Sequence, residues 1–200
     1  MGPTAGRPRL PDCPNEQRIA MLRPDELDAR QQELLDAMMS GKRGASAANG
    51  GPFGVWLHNP DFGMQVQRFG EYIRYDTNLD AAVSELLILA CAVHWRAQYE
   101  WFVHAPIARS SGVPAPLVEA LRTGAALPEE YGPQCDLVRF AQSLLKTGFV
   151  SDEIFASLSK QYSAAQIIEM VGVLGYYSLV AMTLNLFQVA VPDRDFVGME

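Results

Sequence analysis

The sequence predicts an all-α fold, a single-domain bundle of seven to eight helices. Three observations carry this expectation. Between Pro24 and Val191 apolar residues recur at helical spacing, and Gly, Pro, Asn, Asp and Ser fall where helices start or stop. No run of alternating β-branched residues bounded by hairpin turns interrupts them. The 200 residues are 48% hydrophobic, enough for one domain with a core and too few for two large ones.

The elements follow in order. Residues 1–23 are rich in Pro, Gly and Arg without periodicity, which predicts a flexible N-terminal arm or a strap on a partner subunit. Pro24-Asp25-Glu26 is expected to open the first helix, with Leu27, Leu34, Leu35 and Met38 as its apolar stripe and Gly41 as its end. Residues 41–51 read as a loop. Gly51 to Pro60 is apolar but broken by Gly and Pro, so it should be a packed connection, at most briefly helical. Asn59 can cap a helix beginning at Pro60 and running to Tyr75, with Phe62, Val66, Phe69 and Ile73 on one side.

Asp80 precedes a helix over about 81–94 whose interior, Leu86 to Val93, is apolar nearly all round. Such a helix belongs at the centre of a core. The next spans about 97–111, contains Pro106 and stops at Gly112. Shorter helices follow over 116–122, 133–147 and 151–161, and a long one over 164–190. Residues 192–200 read as a C-terminal tail.

Composition excludes several function classes. The net charge is −7 and the basic residues are scattered apart from Lys42-Arg43, so neither nucleic acid nor an anionic membrane is an expected partner. Val171 to Val191 is long and apolar enough to raise a membrane question. Its Gly172, Gly175, Tyr176, Tyr177, Ser178, Thr183, Asn185 and Gln188 favour a buried helix instead. Three widely spaced cysteines (Cys13, Cys91, Cys135) form no disulfide framework or metal-type CxxC, and the N-terminus lacks an apolar signal region. A reducing, cytoplasmic setting is the expectation. No nucleotide-binding glycine loop, GxSxG or HExxH occurs, so no cofactor and no metal are expected.

Chemistry concentrates between Glu85 and His104, where proton-active side chains sit in apolar sequence on two helices joined by a short connection. Ionised groups lose hydration in such surroundings, which makes a reactive pocket worth considering. Ala97, Glu100, His104 and Ala108 share one helix face, and Glu100 and His104 lie one turn apart. Glu85 reads either as a helix-start acid or as a partly buried acid–base group. Glu100 and His104 read either as a plain intrahelical pair or as a proton shuttle in which Glu100 fixes the tautomer of His104. His94 ends its helix and complements the helix dipole. Cys91-x-x-His94 is too small a set for a metal site. Trp101 is expected to pack. Gln98 and Tyr99 can donate to a ligand oxygen, and His58, after an apolar Trp56-Leu57 pair, reads as a satisfied structural histidine before a catalytic one. Tyr176, Tyr177 and Asn185 are either a paired polar set between helices or a pocket wall.

Glu85, then Tyr99-Glu100-Trp101-x-x-His104-x-Pro106-Ile107-Ala108, then Gly112, resembles the carboxymuconolactone decarboxylase family, which shares its fold with the alkylhydroperoxidase D-type proteins. Gly51-Pro52-Phe53, Leu57-His58-Asn59-Pro60, Gly175-Tyr176-Tyr177 and Met182-Thr183-Leu184-Asn185 are similar to its longer members, so the resemblance spans about residues 24–191. It implies an alkylhydroperoxidase D-like bundle and a homo-oligomer, a trimer or hexamer. It also implies a cofactor-free lyase that decarboxylates a small carboxylated lactone or related product of aromatic catabolism. The implied catalytic set is His104 as proton donor, Glu85 as its partner and Glu100 as its orienter. Tyr99, Gln98, Trp101 and His58 would bind substrate, with Arg96 either a carboxylate clamp or, as its position also suggests, a plain surface arginine. The peroxidase branch carries a CxxC pair where this chain has Ala97 and Glu100, so its dithiol cycle lacks both sulfurs here. An isomerase or cyclase on the same scaffold, or a non-catalytic oligomeric binding protein, are the competing expectations.

Overall fold

A computed structural model describes residues 17–44, 50–193 and 196–200. Among these residues there are nine α-helices, two short 3-10 turns and no strand. The helices are α1 (Ala29–Ser40), α2 (Gly51–Trp56), α3 (Pro60–Tyr75), α4 (Ala81–Trp95), α5 (Gln98–Ser110), α6 (Ala115–Thr123), α7 (Gly132–Thr147), α8 (Asp152–Ser159) and α9 (Ala164–Phe187).

The organising element is α4. Every residue from Ser84 to Ala92 is buried, so the helix has no solvent side over this stretch. A helix that is apolar all round must be surrounded, and α5, α7 and α9 pack around it. α1, α2 and α3 form a second group that joins the first through α9. A satellite cluster of Leu34, Leu35, Met38 and Leu57 seals α1 against this group.

Several boundaries follow from local chemistry. The first helix starts at Ala29 and not at Pro24, because Asp28 and Gln31 form a reciprocal capping box. Pro24–Glu26 is instead a separate 3-10 turn. Asn59 caps α3 and Ser151 caps α8 through their side chains. A second capping box, Ser163 with Gln166, starts α9. The buried side of α3 is Gly63, Val66, Gln67, Gly70 and Ile73. Phe62 and Phe69 are exposed, contrary to the expected stripe, because two glycines let α3 approach its neighbours closely on the other side.

The link between α4 and α5 is only Arg96 and Ala97. Arg96 adopts a left-handed conformation (φ 54°) and Ala97 N–H donates back to the Ala92 carbonyl at 2.9 Å. This tight reversal lays α5 antiparallel against α4 and returns His104 to the level of Glu85.

α9 contains an 18-residue stretch with a mean hydropathy of 1.7 and is long enough to cross a membrane by length and composition. Within the fold one side of it, from Met170 through Leu184, is core. Of the arm expected over residues 1–23, residues 1–16 lie outside the described residues, as does Cys13. Arg18 donates through its backbone N–H to Phe187 (2.9 Å) and through Nη1 to Leu186 (3.0 Å), meeting the last carbonyls of α9. In the tail, Met199 is buried and its backbone pairs with both amide atoms of Gln98, at 2.9 and 3.1 Å.

Leu87→Ala, at a position with no exposure, should lower unfolding free energy by about 2–5 kcal/mol in chemical denaturation, as removal of a core leucine does. Val197→Ala, largely exposed, should stay within about 0.5 kcal/mol.

Candidate active site

A cavity of about 260 Å³ lies between α2, α3, α5 and α9. Its wall carries Arg43, Arg74, Tyr75, Tyr99, Glu100, His104, Tyr176 and Tyr177, with Phe53, Val103, Ile107 and Val180 as apolar surface.

Glu85 stands directly behind the wall. It is 1% exposed, in the first half of α4, and a carboxylate there requires partners. It has two. Arg74, from the last turn of α3, donates Nη1 to Oε1, and His104 donates Nδ1–H to Oε2 at 2.8 Å. Burial alone would raise the Glu85 carboxyl. The His104 hydrogen bond and charge, with the Arg74 guanidinium, outweigh burial and hold it below its ordinary value. Because the carboxylate accepts at Nδ1, the tautomer is set and Nε2 is directed towards Glu100.

Glu100 has the opposite environment. It is buried, and its Oε2 has no hydrogen-bond partner. Nε2 of His104 lies 3.6 Å away, beyond a hydrogen bond. Burial pushes the Glu100 carboxyl above its ordinary value. The Glu85 charge adds to that rise, and His104, Arg43 and Arg74 only partly oppose it. The expected division of labour therefore changes: Glu85 makes the orienting hydrogen bond to His104, and Glu100 is the unpartnered carboxyl on the cavity wall.

Two tyrosines from α9 close the site. The Tyr177 ring meets His104 edge-on, with centroids 5.1 Å apart, and meets Tyr176 at 5.3 Å. Arg43 Nη2 donates to the Tyr176 hydroxyl at 3.4 Å, and its guanidinium lies over Phe53 and Tyr75, 4.9 and 5.9 Å from the ring centroids. Gly70 makes this seating possible, since a Cβ there would overlap the Tyr176 hydroxyl. Gly51, at φ +61°, does the same for Tyr99, whose hydroxyl would lie 3.0 Å from a Cβ.

Of the residues expected in a site, Glu85, Glu100, His104 and Tyr99 come together. Gln98 does not: both amide atoms hold the Met199 backbone. Trp101 is 2% exposed and belongs to the core, where its large ring is accommodated. His58 is exposed and donates Nε2–H to the Ala20 carbonyl at 2.9 Å, so it holds the segment before α1. Arg96 is exposed at the α4–α5 reversal, beside a separate cleft of about 110 Å³ that also contains Arg122 and Glu200. His94 is exposed and stacks edge-on with Trp95.

Sequence reasoning missed Arg74 and Arg43. Arg74 looks like an ordinary basic residue in a last helical turn, and Arg43 looks like half of a small surface pair. Tyr176 and Tyr177 had a signal, two phenols interrupting the most apolar helix, which left open a paired set or a pocket wall. The wall is where they lie. No group of three or more His, Cys, Asp or Glu suited to a metal occurs among the described residues.

No protein-family model matches the chain, and no curated protein does. Among solved structures the chain is similar to an alkylhydroperoxidase AhpD core, an uncharacterized peroxidase-related protein from Ralstonia eutropha JMP134. The TM-score is 0.68 at 15% identity, covering 90% of this chain and 93% of that one. The architecture is therefore alkylhydroperoxidase D-like. At 15% identity the likeness establishes the fold and leaves the chemistry to the site.

The two glutamates should separate in a pH series of unfolding. Glu85 has a lowered folded value, so its contribution is present above about pH 4.5 and is lost as pH falls through that folded value. Glu85→Gln should cost about 3 kcal/mol at pH 7, the low end for breaking a buried pair. Glu100 has a raised folded value, so the unfolded chain ionises first and stability falls as pH rises from about 4.5 towards it. Glu100→Gln removes that loss and should leave the protein as stable or more stable at pH 7.

Proposed function

We propose that this protein is a cofactor-free acid–base enzyme of the carboxymuconolactone decarboxylase type, which releases CO2 from a small carboxylated lactone or related ring-cleavage product and returns a proton to carbon. The observation that supports it most is the buried Glu100 carboxyl on the cavity wall, whose Oε2 has no hydrogen-bond partner and lies 3.6 Å from the directed Nε2 of His104. A carboxyl whose acid form is favoured by burial, next to an imidazole of set tautomer, can serve as a proton-transfer pair.

In the proposed reaction the substrate's C–CO2 bond breaks and CO2 leaves. The electron pair stays on carbon and spreads onto the conjugated carbonyl oxygen as an enolate. The Glu100–His104 pair then delivers a proton to carbon and is reprotonated from water. Arg43 and Arg74 supply a positive field for an anionic substrate, and Val103, Ile107 and Val180 favour neutral CO2 over a carboxylate. The cavity volume, just below the usual range for ligand pockets, suits a small molecule.

A second reading has one observation in its favour: the similar solved structure is called peroxidase-related. Against thiol chemistry, Cys91 is buried in α4, contacts Ser178 and the Leu174 carbonyl, and does not line the cavity. Burial pushes its thiol up to about 12, where the reactive thiolate is scarce. Cys135 is likewise buried, against the Pro128 carbonyl.

Incubation with carboxylated lactones should release CO2. Glu100→Gln and His104→Ala should each lower kcat by about 100-fold or more, and alkylation of the cysteines should leave it unchanged. Isomerised or cyclised product without CO2 would move the same proton pair to an isomerase or cyclase. Loss of activity as pH rises through the elevated Glu100 value is expected, because the acid form is then consumed.

The proposal includes a homo-oligomer, trimer or hexamer, as the resemblance implies. Ile168, Val171, Met182 and Leu186, exposed along one side of α9, support it. Sedimentation should give a trimer or larger, and Val171→Asp with Leu186→Asp should dissociate it.

A further inference from the structure

We infer that the Tyr177 hydroxyl is the oxyanion donor of this cavity, and that the site holds small, flat, conjugated oxyanions, enolates and phenolates alike; this deepens the reading above and rests on it.

Tyr177 is 4% exposed, yet it lines the cavity. Among the described residues its hydroxyl has no hydrogen-bond partner, and it is not one of the fully buried unpartnered atoms, which fits a group that reaches the open cavity. The ring cannot easily turn away to find one. His104 and Tyr176 both contact it edge-on, each at an interplanar angle of 87°. Burial raises the phenol above its ordinary value and holds it in its protonated, donating form; Arg74 opposes that rise, and Glu100, Tyr176 and Glu85 add to it, so the group stays a neutral donor.

The neighbouring phenols differ. The Tyr176 hydroxyl accepts from Arg43 and is pressed against Gly70. The Tyr99 hydroxyl sits against Gly51 on a half-buried side chain. Tyr177 alone of the three combines near-complete burial, two ring contacts and an unengaged hydroxyl.

The arrangement matches what an enolate needs. The proton pair Glu100–His104 serves carbon, and a neutral donor held next to His104 serves oxygen. A preorganised donor in a water-poor site strengthens its hydrogen bond as charge develops on the acceptor. Phe53, Tyr75, Tyr99 and Tyr176 give flat apolar surface on which a conjugated ring can lie.

The test uses 4-nitrophenol, whose ionised form is coloured, added to the full chain at a pH where the free compound is mostly neutral. The bound compound should absorb as phenolate, and Tyr177→Phe should weaken its binding at least tenfold with an unchanged circular dichroism spectrum. Binding of the neutral form alone, no binding at millimolar concentration, or undiminished phenolate binding by folded Tyr177→Phe would each overturn the assignment. If that variant fails to fold, the spectrum with the unmodified protein decides, and a missing phenolate band overturns it. Tyr177-dependent phenolate binding without CO2 release from lactones would keep the oxyanion site and remove the proposed reaction. Lactone turnover whose kcat ignores Tyr177→Phe would keep the reaction and remove the oxyanion site.

Discussion

Inside α4, where the surroundings are otherwise hydrocarbon, the Glu85 carboxylate holds Arg74 with one oxygen and His104 with the other. The rest of the site depends on this bridge. It ties the end of α3 to the middle of α5 across the central helix. It also fixes which imidazole nitrogen carries a proton. A lone carboxylate at that depth would be strongly unfavourable, and both partners are needed to offset its lost hydration. The bridge also explains why an arginine can sit beside the cavity without being drawn away into solvent.

The two glutamates show how environment divides chemically identical groups. Glu85 is surrounded by donors and positive charge and stays ionised. Glu100, equally buried, faces Glu85's negative charge and has no donor at Oε2, so its acid form is favoured. Paired titratable groups pushed in opposite directions are a recognised mark of acid–base sites. The third component is the pair of phenols on α9. They complete the wall only because Gly70 removes the side chain that would stand in the Tyr176 position.

The alkylhydroperoxidase D-like architecture supplies the scaffold, and on its antiparallel α4–α5 pair this chain places the buried Glu85–His104 contact. Function on such a scaffold is a property of what lines the cavity. In this chain that lining is a carboxyl, an imidazole, two guanidiniums and several phenols. The thiols of Cys91 and Cys135 are part of the core.

Much of the helical content was legible in the sequence because helix periodicity and capping are local. Asn59-Pro60, Ser151 and the all-apolar run after Glu85 each announce their structure within a few residues. The start of α1 did not: Pro24-Asp25-Glu26 read as the opening, and the Asp28–Gln31 capping box places it at Ala29. The proximity of Glu100 and His104 was equally local, one helical turn. Other features needed the tertiary structure. Which oxygen of Glu85 meets which partner, the recruitment of Arg74 from α3 and Arg43 from the loop before α2, and the emptiness around Glu100 Oε2 all arise from helices far apart in sequence. Gln98 and Trp101 sat in the right stretch of chain and His58 in the apolar connection after α2, but packing assigned them to the tail, the core and the N-terminal segment. Sequence alone determined the helices and one pair of reactive neighbours. Only the tertiary structure decided which polar groups share a cavity, because burial and electrostatic partnership are set by contacts that no local pattern encodes.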